Sequence, residues 1–171
     1  GVIFAKDIDL IAADMTNTGG NLQAGNVNLS VGGDLINGTG GYITALDDGA
    51  AGELSLTIGG HFNNSGGVTQ ANTANLAIDA GSISNTAGEI THQGAGTLTL
   101  AVDNALSNIG NGFIRGHGNV LATAQSINNT DGDIVALNGT TITSNTSVTN
   151  TRGLIEAGNG LSLTANGGQL V

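Results

Sequence analysis

The chain has 171 residues, of which 30 are glycine, 39% are hydrophobic and only 9% are charged, and it contains no proline, cysteine or tryptophan. Three Lys or Arg stand against thirteen Asp or Glu, a formal charge of −10, which leaves no basic patch for nucleic acid or for an anionic membrane. The lack of cysteine excludes a disulfide framework and a thiolate metal site, while ample aliphatic content at low charge density argues for a folded chain rather than a disordered one.

From the N-terminus, "GVIFAKDID" lacks the charged start and long apolar stretch of a signal peptide, and no later run approaches the ~18 apolar residues of a membrane span. The polypeptide therefore reads as an excerpt of something longer. Its first unit is an apolar pair, Ile8/Leu10, then Met15-Thr16-Asn17 followed by Gly20, then Asn21-Leu22. The second repeats the order: Val27/Leu29, Leu35-Ile36-Asn37, Gly40, Tyr42-Ile43. The third has Leu54/Leu56, Phe62-Asn63-Asn64 and Gly67, and the fourth Leu76/Ile78, Ile83-Ser84-Asn85, Gly88 and Glu89-Ile90. The fifth has Leu98/Leu100, Leu106-Ser107-Asn108, Asn111 and Phe113-Ile114. A weaker pair, Val120/Ala122, opens the sixth, which goes on through Ile127-Asn128-Asn129, Gly132 and Asp133-Ile134. The seventh contributes Val148-Thr149-Asn150, Gly153 and Leu154-Ile155, and Leu161/Leu163 follows it.

Successive motif asparagines are 20, 27, 21, 23, 21 and 21 residues apart, so one unit of about 21 residues is used repeatedly. Each unit holds three short period-2 segments separated by Gly and Asn, and no segment has helical spacing long enough to form a stable helix. Isolated strands of three to five residues are unstable, but stacked coils let each strand pair in parallel with its equivalents above and below. The expected fold is all-β: a right-handed parallel β-helix, or β-solenoid, of about eight coils with three short strands per coil, forming one array over residues 1–171. At about 4.8 Å per coil the rod is roughly 40 Å long.

The strictest part of the repeat is the corner. Asn17, Asn37, Asn64, Asn85, Asn108, Asn129 and Asn150 lie two residues after an inward aliphatic or aromatic side chain, where each can bond the asparagine of the next coil or stand solvated at the turn. Of these readings, the ladder is favoured. Gly20, Gly88, Gly132 and Gly153, three residues beyond, are expected to supply positive φ, with Asn111 as a tolerated substitute for glycine. The 27-residue interval is assigned to a loop inserted at residues 46–53, where Asp47, Asp48 and Glu53 read as solvated loop charges rather than a cation cage. His61, His92 and His117 are not expected to form a metal-binding column, and Asp131 and Asp133 read as turn residues because the spacing of calcium loops is absent. With no nucleophile elbow, phosphate loop or paired-carboxylate motif, the expectation is a non-enzymatic chain without catalytic, cofactor or metal residues.

"LTLAVDNALSNIGNGFI" (98–114) and "SINNTDGDIVA" (126–136) resemble the repeats of the filamentous haemagglutinin family, which includes the large exoproteins of two-partner secretion and the CdiA proteins of contact-dependent growth inhibition. The resemblance covers nearly the whole chain. It implies a secreted segment of a long filament, exported through an outer-membrane secretion partner and displayed on the cell surface of a Gram-negative bacterium. The filament would present an adhesin or a growth-inhibition toxin to other cells. Its implied partners are adjoining coils of the same filament and a receptor on a host or neighbouring bacterial cell, with no nucleic acid and no membrane insertion by this segment.

Two other functions suit a β-helix. A polysaccharide-binding or -cleaving role calls for aromatic platforms, and this chain has four aromatics: Phe4, Tyr42, Phe62 and Phe113. An ice-binding role calls for a flat outward Thr column, but the residue between paired apolar positions runs Asp9, Asn28, Ser55, Ala77, Thr99, Ser162.

Overall fold

The computed structural model describes residues 1–46 and 52–171, and these form β-strands joined by tight corners with no helix among them. Every strand pairing is parallel, and each coil stacks on the one before it. The chain is a β-solenoid of about eight turns. Among the described residues there is no helix long and apolar enough to cross a membrane.

One face is an eight-stranded sheet of four-residue strands: β4 (Asn21–Ala24), β7 (Tyr42–Ala45), β9 (Val68–Ala71), β11 (Glu89–His92), β14 (Phe113–Gly116), β16 (Asp133–Ala136) and β18 (Leu154–Ala157), preceded by the shorter β1 (Val2–Phe4). The other sheet orders β2 (Asp7–Ala12), β5 (Asn26–Val31), β8 (Glu53–Asn63), β10 (Asn75–Ser84), β12 (Thr97–Val102), β15 (Asn119–Asn128), β17 (Gly139–Thr149) and β19 (Gly160–Ala165) along the rod. Three short strands, β3 (Met15–Thr16), β6 (Leu35–Ile36) and β13 (Ala105–Ser107), join this second sheet.

Each coil thus passes through three short runs, as its period-2 segments require. In four coils the first two runs merge into one bent strand of 10 or 11 residues. The register shifts at the bend, between Ala80 and Ser82 in β10 and between Ala124 and Ser126 in β15. Gly81 sits at such a bend, and a Cβ there would lie 2.7 Å from the Gly60 carbonyl oxygen, so close backbone approach sets the choice of residue.

Alternation within each strand aims one set of side chains inward, and the register stacks them into columns. Val27, Leu54, Leu76, Leu98 and Val120 form one, and Leu29, Leu56, Ile78, Leu100 and Ala122 another. On the bent sheet's second run Leu35, Phe62, Ile83, Leu106 and Ile127 stack, and on the third face Leu22, Ile43, Ile90, Ile114 and Ile134 are the corresponding inward residues. These side chains are buried, and each Val, Leu, Ile or Phe among them contributes about 1.5–3 kcal/mol of transfer free energy.

Two of these aliphatic columns contain a threonine. Thr69 pairs with Ile43 and Ile90, and Thr140 pairs with Val120 and Leu161. Thr69 Oγ1 donates to Asn64 Oδ1 at 3.1 Å, and Thr140 Oγ1 donates to the Glu156 carbonyl at 3.0 Å, so neither hydroxyl is left unbonded inside.

Candidate functional site

The asparagines two residues beyond the second-run column keep its inward direction, so their amides enter the rod. Asn37, Asn64, Asn85, Asn108 and Asn129 are fully buried, Asn17 nearly so, and Asn150 half-buried. Asn17 Nδ2 donates to Asn37 Oδ1 at 2.8 Å, and the same bond runs on to Asn64, Asn85, Asn108, Asn129 and Asn150 at 2.7–2.8 Å. From Asn17 to Asn129 each Nδ2 also donates to a strand carbonyl of the following coil, at Tyr42, Val68, Glu89, Phe113, Asp133 and Leu154. Asn129 shares this bond with the Gly132 carbonyl, and Asn150 Nδ2 donates to the Gly153 carbonyl of its own corner. Both Nδ2 hydrogens and one Oδ1 lone pair are used in every interior amide, which is how a polar group is carried through an aliphatic core. The asparagines form a continuous ladder instead of standing solvated at the turn.

The corner glycines act differently from the expectation. Positive φ falls two residues after the asparagine: at Gly19 and Gly66, but also at Ala87, Asp131 and Arg152, with φ of 49–65°. Gly20, Gly67, Gly88, Gly132 and Gly153 follow, and none of them has positive φ. They are glycine because there is no room for a side chain. A Cβ would lie 2.0 Å from the Asn64 carbonyl oxygen at Gly88, 2.1 Å from that of Asn108 at Gly132, and 2.1 Å from that of Asn129 at Gly153. At Gly20 it would meet Asn17 Oδ1 at 2.2 Å. The two corners with an extra residue put Gly41 and Gly112 at this close approach, while Gly40, Gly110 and Asn111 carry the positive φ. Asn111 is therefore not the equivalent of Gly132; Gly112 is.

At the loop insertion, Asp47 and Asp48 lie outside the described residues. Its flanks remain in the stack: Leu46 N donates to the Ala24 carbonyl at 2.9 Å, and Ala74 N donates to the Gly52 carbonyl at 3.0 Å. Glu53 is the first residue of β8. Asp131 and Arg152 occupy equivalent corner positions, and the guanidinium grips the carboxylate through Nε at 2.7 Å and Nη2 at 2.6 Å. That grip holds the Asp131 carboxyl below its usual range.

The histidines do not converge. His61 Nδ1 shares a 2.7 Å hydrogen bond with Ser82 Oγ on the bent sheet. His92 lies on the third face, paired with Gly116, so His117 is one residue further along. Among the described residues no group of three His, Asp or Glu side chains is placed to hold a metal ion. His92 points inward, in a column otherwise made of Ala24, Ala45, Ala71, Gly116, Ala136 and Ala157, and is fully buried. Its Nε2–H donates to the Thr73 carbonyl at 2.9 Å, while Nδ1 has no partner. Burial pushes its pKa below the ordinary histidine value, the Thr73 bond opposes this, and the nearby His117 adds to the lowering.

Outside His92, the third face presents a recess of about 90 Å³ lined by Glu89, Thr91, Gln93, Phe113, Arg115 and His117 together with His92. Thr91 Oγ1 and Arg115 Nε are buried there without a hydrogen-bond partner. Larger hollows, of about 340 and 330 Å³, lie against the first coil beside Phe4 and Met15. Composition hid the third-face patch: its residues are scattered singly through two repeats, and only the stacking register brings them side by side.

Comparison of the chain with protein-family models, with curated proteins and with solved structures returns no match.

Proposed function

We propose that this chain is a structural and adhesive segment of a large secreted filament on the surface of a Gram-negative bacterium. In this reading the filament leaves the cell through an outer-membrane partner and presents an adhesin or a growth-inhibition toxin to other cells, and the segment itself catalyses nothing. The observation that carries the reading is the unbroken asparagine ladder, seven residues linked end to end at 2.7–2.8 Å inside a stack of parallel coils. Such a stack is a spacer by construction, because each coil contacts only its neighbours and length grows by adding repeats. The resemblance of 98–114 and 126–136 to filamentous haemagglutinin repeats adds the surface setting.

Antibody raised against residues 1–171 and applied to intact cells of the source bacterium tests this. Gold label along surface fibres, lost when the gene for the outer-membrane partner is deleted, is the expected result. Label confined to the cell interior would overturn the proposal. A toxin-presenting filament also inhibits neighbouring cells in co-culture, whereas a plain adhesin binds them without inhibition.

A further inference from the structure

The outer face of β11 and β14 gathers chemistry that the rest of the chain almost lacks. The protein has three Lys or Arg, three His and four aromatic residues in all, yet Phe113, Arg115, His92 and His117 line one recess. Register places them: Glu89 pairs with Phe113 and Thr91 with Arg115, and His117 N donates to the His92 carbonyl. Because Ile90, His92, Ile114 and Gly116 alternate inward, Glu89, Thr91, Phe113 and Arg115 stand on the outside of adjacent coils.

Among the described residues the Arg115 guanidinium has no carboxylate partner. Three acidic residues share this face, Glu89 on β11, Asp133 on β16 and Glu156 on β18, but among the described residues the one ion pair is Arg152 with Asp131, at the corner. Arg115 lies between Thr91 and Val135 instead, half-buried, with Nε unbonded. Thr91 faces outward but is only 6% exposed, and its hydroxyl too has no partner. Arg115 Nε and the Thr91 hydroxyl, both buried and unbonded among the described residues, are donors without an acceptor, and leaving them so is unfavourable. The recess accepts a carboxylate with its attached carbon, not a whole ring, so the remainder of a ligand must lie over Phe113 and towards Glu89. Phe113 offers an apolar ring face, and the Glu89 carboxylate accepts hydrogen bonds from hydroxyl groups.

We propose that Thr91, Arg115 and Phe113 bind an acidic sugar, with its carboxylate on Arg115, its ring against Phe113 and its hydroxyls towards Glu89. The biological setting rests on the surface-filament reading, as a contact that an adhesive segment makes with acidic polysaccharide. The chemistry depends only on the folded chain.

The test titrates the purified protein with trigalacturonate at low ionic strength, using galactotriose and acetate as parallel arms. Saturable binding of trigalacturonate is expected, weakened at least about tenfold by Arg115→Ala or Arg115→Gln, weakened by added salt, and unchanged by Arg152→Ala. Phe113→Leu weakens trigalacturonate and leaves any acetate binding as it was. Thermal melts establish that each variant is folded, and Arg115→Gln retains most of the stem if Arg115→Ala does not fold. Equal binding of galactotriose overturns the role of the carboxylate, and equal binding of acetate overturns the role of the sugar. No binding, or binding indifferent to Arg115, overturns the site. All these readings use protein in solution, so they stand apart from the surface-labelling result: a displayed filament with an inert Arg115 refutes the site alone.

Discussion

Arg152 lies one coil beyond Asp131 at the same corner position, both with φ of 55°, and the guanidinium forks onto the carboxylate. Neither residue is the glycine that a left-handed backbone favours. Ala87 holds this conformation two coils earlier, at φ 49°, with no ion pair to accompany it. Left-handed geometry costs an L-residue about 1–2 kcal/mol, and glycine escapes that at some loss of chain entropy. Ala87→Gly should therefore stabilise the protein by about 0.5–1 kcal/mol in denaturant titration. A destabilised variant would show that the corner imposes no strain on Ala87.

One residue further on, the expectation reverses. A Cβ at Gly132 would lie 2.1 Å from the Asn108 carbonyl oxygen, so Asn should be no better tolerated than Val. Gly132→Asn and Gly132→Val should each lose at least about 2 kcal/mol, since backbone must move to admit either side chain. Thermal melts that find Asn neutral and Val harmful would restore a conformational role for this glycine.

Within the ladder, Asn85→Ala removes the acceptor of the Asn64 amide and the donor to Asn108 and Phe113. Buried donors and acceptors left unbonded cost about 1–3 kcal/mol each, so a loss of about 2–5 kcal/mol is expected by equilibrium unfolding. A loss under about 1 kcal/mol would mean that the ladder contributes little to stability.

Strand phase can be checked at neighbouring positions. Leu100 is fully buried and Thr99 faces outward, partly exposed. Leu100→Ala should lose about 2–5 kcal/mol, and Thr99→Ala no more than about 0.5–1 kcal/mol. Equal losses would contradict the inward and outward assignment.

Acid should loosen the third face through His92. Its pKa is lowered in the folded chain, so the unfolded chain takes up the proton first. The stability that neutral His92 permits is complete above its unfolded value of about 6.5 and is lost as pH falls through the depressed folded value. His92→Ala, which restores the alanine of this column, should flatten the dependence of the melting temperature on pH just below 6.5. An unchanged slope would assign the acid sensitivity to other groups.

The repeat was legible because aliphatic pairs and the Asn-x-x-Gly corner recur in the letters themselves. Legibility stopped where a polar residue took an inward place. Thr69 and Thr140 interrupt their aliphatic columns, and the third-face run at Val68 and the pair at Thr140 and Ile142 pass unrecognised for that reason. The displaced role of the corner glycines has another cause. Small size and positive φ both select glycine, and a single sequence does not separate them until the neighbouring coil's carbonyl is located. The Arg115 recess was out of reach altogether, since it depends on which coils become neighbours.

The asparagine ladder also has a sense of direction. Each amide nitrogen points towards the next coil and each amide oxygen towards the previous one, from Asn17 through Asn150. Dipoles aligned head to tail add, and hydrogen bonds in such a file polarise one another by about 10–30% per bond. The rod thus has an electrically polar axis, hydrogen-rich towards its C-terminal coil and oxygen-rich towards its N-terminal coil. An asparagine removed from the middle divides one long dipole into two short ones, so it should cost more than the same change at Asn150.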